Sequence, residues 1–144
     1  MKHILVPVNA TDESMKALKF AGMLAQIYDA RLSLLLVTYF DEHTDSGRPK
    51  ESWLPAPLTG SVSRFSHAVF RRAHAQLPPD VSAAASDHHL SGQPNARILD
   101  FARRNHVDMI VMGCRRLSFF DTLLGGSVSR QILEKSICPV VIVK

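Results

Sequence analysis

Short runs of consecutive apolar residues recur along the chain, and the segments between them carry apolar residues at intervals of three and four. Lys2 to Val8 is the first run, apolar at Ile4, Leu5, Val6 and Val8. The turn Asn9-Ala10-Thr11 follows. Thr11 or Asp12 can cap a helix reaching about Tyr28, with Met15, Leu18, Ala21, Met23, Leu24 and Ala25 at helical spacing. Arg31 to Tyr39 holds Leu34-Leu35-Leu36-Val37, the mark of a strand covered on both faces. From Phe40 to Gly60 the chain is polar and carries Pro49, Pro55 and Pro57, which predicts a long surface loop. Ser61 to Leu77 has a helical pattern with Val62, Phe65, Val69, Phe70 and Ala73 facing inward, and Pro78-Pro79 ends it. Val81 to His88 reads as a third strand, placed at an edge by its Ala/Ser-rich composition. After the turn Gly92-Gln93-Pro94, Asn95 to Asn105 is a helix with Ile98, Leu99, Phe101 and Ala102. Val107 to Met112 is the fourth strand. Ser127 to Lys135 is a helix with Val128, Ile132 and Leu133 on one face, and Pro139 to Val143 is the fifth strand.

Buried strands alternating with helices define an α/β chain. The expected architecture is an open, doubly wound, five-stranded parallel sheet with right-handed crossovers and helices on both faces. No internal repeat or second domain is visible, so residues 1–144 read as a single domain with a surface loop over 40–60. Ligands of such sheets bind beyond the carboxyl ends of the strands, where the strand order reverses. If strands one and four are neighbours, Pro7 to Thr11 and Met112 to Ser129 meet there.

That second segment, MGCRRLSFFDTLLGGSVS, is where candidate chemistry concentrates. A buried strand runs into Gly113, and the pair Gly125-Gly126 opens onto Ser127 at the start of a helix. Glycines at both ends of a strand-to-helix loop let backbone N–H groups approach an anion, and the helix N-terminus adds partial positive charge. The competing account is that these are turn glycines and that Ser127 is an N-cap with no ligand to serve.

Composition narrows the classes. At 46% hydrophobic and 21% charged, the sequence is that of an ordinary globular protein and not of a disordered one. The net charge of +4 raises nucleic-acid binding, but the basic residues are scattered, with Arg71-Arg72, Arg103-Arg104 and Arg115-Arg116 the only close pairs singled out. Solvated helix faces account for them better, and no nucleic-acid partner is expected. No apolar stretch approaches the length of a membrane span, and the first residues lack a cleavable small-residue site. Two cysteines, Cys114 and Cys138, fit a reducing cytoplasm better than a disulfide scaffold. Cys114, beside Arg115 and Arg116, reads either as a reactive thiol or as an inert one. His43, His67, His74, His88, His89 and His106 show no ligand spacing with a cysteine or carboxylate, and read as exposed residues rather than a metal site.

The chain resembles the universal stress protein family over essentially its full length. ILVPVNATDES is similar to that family's first strand and turn, SGQPNARILDFARRNHVDMIVMG to its third helix and fourth strand, and SVSRQILEKSICPVVIV to its last helix and strand. The most specific likeness is the loop pattern of Gly, two residues, Gly, nine residues, Gly and Ser/Thr, which falls on Gly113, Arg116, Gly126 and Ser127. The resemblance implies a strand order of 3-2-1-4-5. It also implies a cytoplasmic, nucleotide-responsive regulator that binds ATP, with or without Mg2+. Pro7, Asn9, Val37 and Met112, with Val8 beside them, would line the base pocket. Gly113, Arg115, Arg116, Gly126, Ser127, Val128 and Ser129 would surround the ribose and phosphates.

Two positions depart from that pattern: Arg116 replaces a glycine, and Asn9-Ala10 replaces Asp-Gly. Arginine adds bulk where backbone should approach phosphate, yet offers a charge-assisted fork; asparagine keeps an acceptor but loses the charge. The alternative is therefore a member that does not bind nucleotide and acts as a protein-interaction dimer. Hydrolysis would amount to a slow ATPase at most, since no positioned base or metal carboxylate is evident. The last strand offers Val140, Val141, Ile142 and Val143 at a sheet edge, which needs covering. The resemblance implies antiparallel pairing with its own copy, giving a homodimer.

Overall fold

The computed structural model describes residues 1–38, 62–114 and 128–144. Its elements in chain order are β1 (His3–Pro7), α1 (Asp12–Tyr28), β2 (Arg31–Thr38), α2 (Val62–His74), α3 (Pro79–Ala84), β3 (Ser86–Ser91), α4 (Pro94–Arg104), β4 (Met109–Gly113), α5 (Val128–Lys135) and β5 (Val140–Val143). The strands form one parallel sheet in the order β3-β2-β1-β4-β5. Both the expected class and the expected order are found. From β1 the chain winds outward through β2 to β3, then returns to β4 and winds the other way to β5. The reversal therefore falls between β1 and β4.

Strand alternation sorts the core into two layers. Ile4, Val6, Leu34, Leu36 and Val111 face α1 and α2, where they meet Leu18, Ala21, Phe65 and Val69. Leu5, Leu35, Ile110 and Met112 face α4 and α5, where they meet Ile98, Phe101 and Ile132. Two covered faces are the physical reason why Leu34-Leu35-Leu36 carries no polar break.

Several expectations are corrected. Val81 to Ala84 is helical rather than part of the third strand, which starts only at Ser86. Pro79 occupies the first turn of α3, where its missing N–H costs nothing, so the proline pair opens a helix as well as following one. The preceding helix stops at His74, short of Leu77. Met23 and Leu133, expected on buried faces, are exposed. Met23 lies two residues from both Ala21 and Ala25, hence on the opposite side of α1 from those buried positions, and Leu133 sits a quarter-turn beyond buried Ile132. His74, expected on the surface, is half-buried: its Nδ1 meets Ser82 Oγ at 2.8 Å and its Nε2 meets Asp87 at 2.9 Å. His88 and His89 are half-buried as well, whereas His67 and His106 are exposed and His43 lies outside the described residues. Among the described residues no helix is long and apolar enough to cross a membrane.

Candidate functional site

The carboxyl ends of β1, β2 and β4 lie side by side at the reversal point. Pro7 is paired with Leu35 in the register of β1 and β2, and Leu5 with Ile110 in that of β1 and β4. Pro7, Val8 and Asn9 therefore emerge between Val37 and the Met112-Gly113 step. Their side chains differ in what they present. Val8 and Met112 are buried, Val8 in the layer under α1 and Met112 in the layer under α4. Pro7, Asn9 and Val37 are partly exposed.

The turn from β1 into α1 is held by a closed set of hydrogen bonds. The Asn9 N–H donates to Ser14 Oγ at 3.0 Å. Asn9 Oδ1 accepts from the Thr11 N–H at 2.9 Å and from the Thr11 hydroxyl at 2.5 Å. Thr11 Oγ1 in turn accepts from the Ser14 N–H at 3.3 Å, which makes Thr11 the N-cap of α1, as its residue type suggests. From α2, Arg72 donates to the Ala10 carbonyl at 2.6 Å and pairs with Asp12 at 2.6 Å. Sequence alone gives Ser14 no role in this turn and marks Arg72 only as one of a basic pair. The Ser14 position, three residues after Thr11, fits capping geometry, but nothing local ties α2 to this turn.

Gly113 sits directly against this turn. A Cβ at position 113 would lie 2.4 Å from the carbonyl carbon and oxygen of Glu13 and 2.7 Å from the Ser14 nitrogen. The glycine is thus demanded by the first turn of α1, whatever else it serves.

Beyond Gly113, Cys114 donates its N–H to the Val143 carbonyl at 3.1 Å, which fixes the start of the following segment to β5. Ser129, buried in the first turn of α5, brings its hydroxyl 3.9 Å from Cys114 Sγ. Cys114 and Ser129, on either side of residues 115–127, therefore lie close together. Arg115, Arg116, Gly126 and Ser127 lie outside the described residues. Val128, partly buried, packs on the α4-side layer. Among the described residues no three His, Cys, Asp or Glu side chains converge as metal ligands.

A family model described as the Universal stress protein family matches residues 1–144. The chain belongs to that family. The stress response protein NhaX of Bacillus subtilis is 44% identical over 160 residues, covering 98% of this chain and 96% of that protein. Two solved structures of universal stress proteins share the fold. One, in complex with cAMP, has a TM-score of 0.75 at 20% identity and covers 99% of this chain and 97% of its own. The other, from Archaeoglobus fulgidus in complex with dAMP, has a TM-score of 0.70 at 22% identity and covers 100% of this chain and 98% of its own. The two universal stress protein ligands have an adenine ring and a single phosphate in common.

Proposed function

We propose that this chain binds an adenine nucleotide, ATP with or without Mg2+, at the reversal between β1 and β4, and acts as a nucleotide-responsive regulator in the stress response. The observation that carries the reading is the approach of the residues that flank 115–127, with Ser129 Oγ 3.9 Å from Cys114 Sγ beside the converging strand ends. Both flanks of that stretch therefore stand near the edge from which Pro7, Asn9 and Val37 emerge, which supports assigning its glycines and arginines to the site. The complexes with cAMP and dAMP, formed by proteins of the same fold, support an adenine ligand. In this reading Pro7, Asn9, Val37 and Met112 bound the base and ribose, with Val8 behind them. Gly113, Arg115, Arg116, Gly126, Ser127, Val128 and Ser129 surround the phosphates. Neither Cys114 nor Cys138 is in a disulfide, which suits a cytoplasmic location.

The deciding measurement is calorimetric titration with ATP, ATP and Mg2+, AMP and, as a control, GTP. Heat with the adenine nucleotides and none with GTP is expected; no heat at millimolar adenine nucleotide overturns the reading. Mass spectrometry of the denatured protein shows independently whether it carries nucleotide from the cell.

The second reading, an interaction dimer with no nucleotide, draws on Asn9. Its side-chain oxygen is engaged by Thr11 at 2.9 and 2.5 Å rather than directed at a ligand. Under this reading Asn9→Asp combined with Arg116→Gly creates ATP binding where the wild type has none. If that double variant stays silent, the two departures do not explain the missing affinity.

A further inference from the structure

On the α4 side of the sheet, four polar side chains form a line across β1, β2 and β3. His3 Nε2 is 2.8 Å from Ser33 Oγ, Ser33 Oγ is 3.1 Å from Ser86 Oγ, and Ser86 Oγ is 3.1 Å from His88 Nε2. Ser33 and Ser86 are direct partners in the β2–β3 register, and His3 and Ser33 are buried. At the far end, His3 Nδ1 has two neighbours that want opposite things. Arg31 Nη2, 2.8 Å away, can only donate to it; the Asn105 carbonyl, 3.1 Å away, can only accept from it.

Each hydroxyl carries one proton, so the line has two coherent directions. With His88 neutral and Nε2 bare, Ser86 donates to His88, Ser33 donates to Ser86, His3 donates from Nε2, and bare His3 Nδ1 accepts from Arg31. With His88 protonated, Nε2–H donates to Ser86 and every bond reverses. His3 then carries its proton on Nδ1 and donates to Asn105, and the Arg31 guanidinium faces an N–H and must leave toward solvent, where the residue is already exposed.

We propose that His3, Ser33, Ser86 and His88 form a cross-strand relay in which proton uptake switches His3 between its two neutral tautomers and releases Arg31. The proton count balances. His3 passes its Nε2 proton to Ser33, Ser33 passes its own to Ser86, Ser86 passes its own to His88, and the incoming proton ends on His3 Nδ1. No proton is lost, and His88 alone gains the charge.

The surroundings set where this operates. Burial is the main influence holding both His3 and His88 below the ordinary histidine value of 6.5, with Arg31 acting in the same direction. At His3 the hydrogen bond to the Asn105 carbonyl and, more weakly, Asp108 in the connection entering β4 oppose this, while His88 adds to it; Asp87 of β3 opposes it at His88. From α4, the Phe101 ring lies 4.7 Å from the His88 ring, centroid to centroid, and brings no charge. The relay is therefore set to its neutral direction at pH 7 and reverses on acidification. One competing outlet exists: Ser86 can turn its proton to the Leu32 carbonyl at 3.5 Å, a weak bond, and leave His3 untouched.

Nitrogen-15 NMR of the histidine rings in the intact protein, from about pH 7.5 to about pH 5, reads both tautomers directly. The expected result is His3 in the Nε2–H form at the upper end, changing to Nδ1–H with the same midpoint as the His88 titration. Ser86→Ala cuts the line, so His88 still titrates while the His3 transition is lost. His88→Gln abolishes the His3 transition as well and serves as the second variant should Ser86→Ala fail to fold. A His3 tautomer that stays constant through the His88 titration overturns the proposal. So does one that still follows pH in either variant.

Discussion

An added Cβ at Gly113 would stand 2.4 Å from the backbone of Glu13, a distance at which helix and strand cannot both keep their places. Gly113→Ala should accordingly destabilise the protein by about 1–3 kcal/mol through overpacking. Urea unfolding checks this: an unchanged midpoint means that the α1 start yields without cost. The same contact shows why the sequence is ambiguous here. A glycine closing a buried strand is visible in Val111-Met112-Gly113, but the helix that requires it lies far earlier in the chain, so a loop role and a packing role look alike. Asn9 is the reverse case. Its short amide beside Thr11 signals a locally bonded turn, and the structure contains that turn.

At the scale of elements, α5 is tied to the sheet chiefly by Ile132, fully buried in the layer with Ile98, Phe101 and Ile110. Ile132→Ala should cost about 2–5 kcal/mol, because the site is walled by other large side chains and collapses poorly. A thermal melt reports it, and a loss within error of zero would mean that α5 is held by other contacts. Helices with a strong three-and-four spacing, such as α1 and α4, were legible within a residue or two. The error lay at α3 and β3, where Pro78-Pro79 signals both a stop and a start and Val81-Ser82-Ala83-Ala84 has no decisive period. Tertiary packing decides there: Val81 is buried against the α1 layer, which a helical turn after Pro79 allows. Met23 and Leu133 failed for a related reason, since a run of apolar residues on a short helix does not reveal how wide its buried stripe is.

For the whole molecule, titration and association follow from the same sheet. Burial keeps His3 and His88 below 6.5, so the unfolded chain binds more protons than the folded one once the pH drops below that value. Stability from these two residues is complete above about pH 7 and is lost as the pH falls from 6.5 through their lower folded values. Melting temperatures should decline over that window, and His88→Gln should flatten the decline; an equally steep curve in the variant would assign it elsewhere. At the other edge, all four side chains of β5 are only partly buried, and among the described residues the strand has a neighbour on one side only. Covering them is worth at most about 6–10 kcal/mol before association costs. An isologous pairing of two β5 strands would satisfy both backbone and side chains. A dimer at micromolar concentration, independent of nucleotide, is the expected sedimentation result, and Ile142→Lys should shift it to monomer or aggregate. A wild-type monomer would mean that this edge is covered in another way. The parallel sheet and its two covered faces were thus available from apolar runs and the strand order from the family resemblance, whereas the polar seam was available from neither. His3 and Ser33 were the signal, single polar residues within otherwise buried strands.

The near-coincidence of Cys114 and Ser129 bears on how such a protein can change over generations. Because the intervening stretch departs and returns at one point, closing it costs little more when it grows; each doubling adds only about 0.6 kcal/mol. By that entropy alone, a change of length between those anchors leaves the anchors themselves nearly undisturbed. Under the proposed nucleotide-binding reading, the stretch that meets the phosphates is then free to change length at small entropic cost while the strand order stays constant.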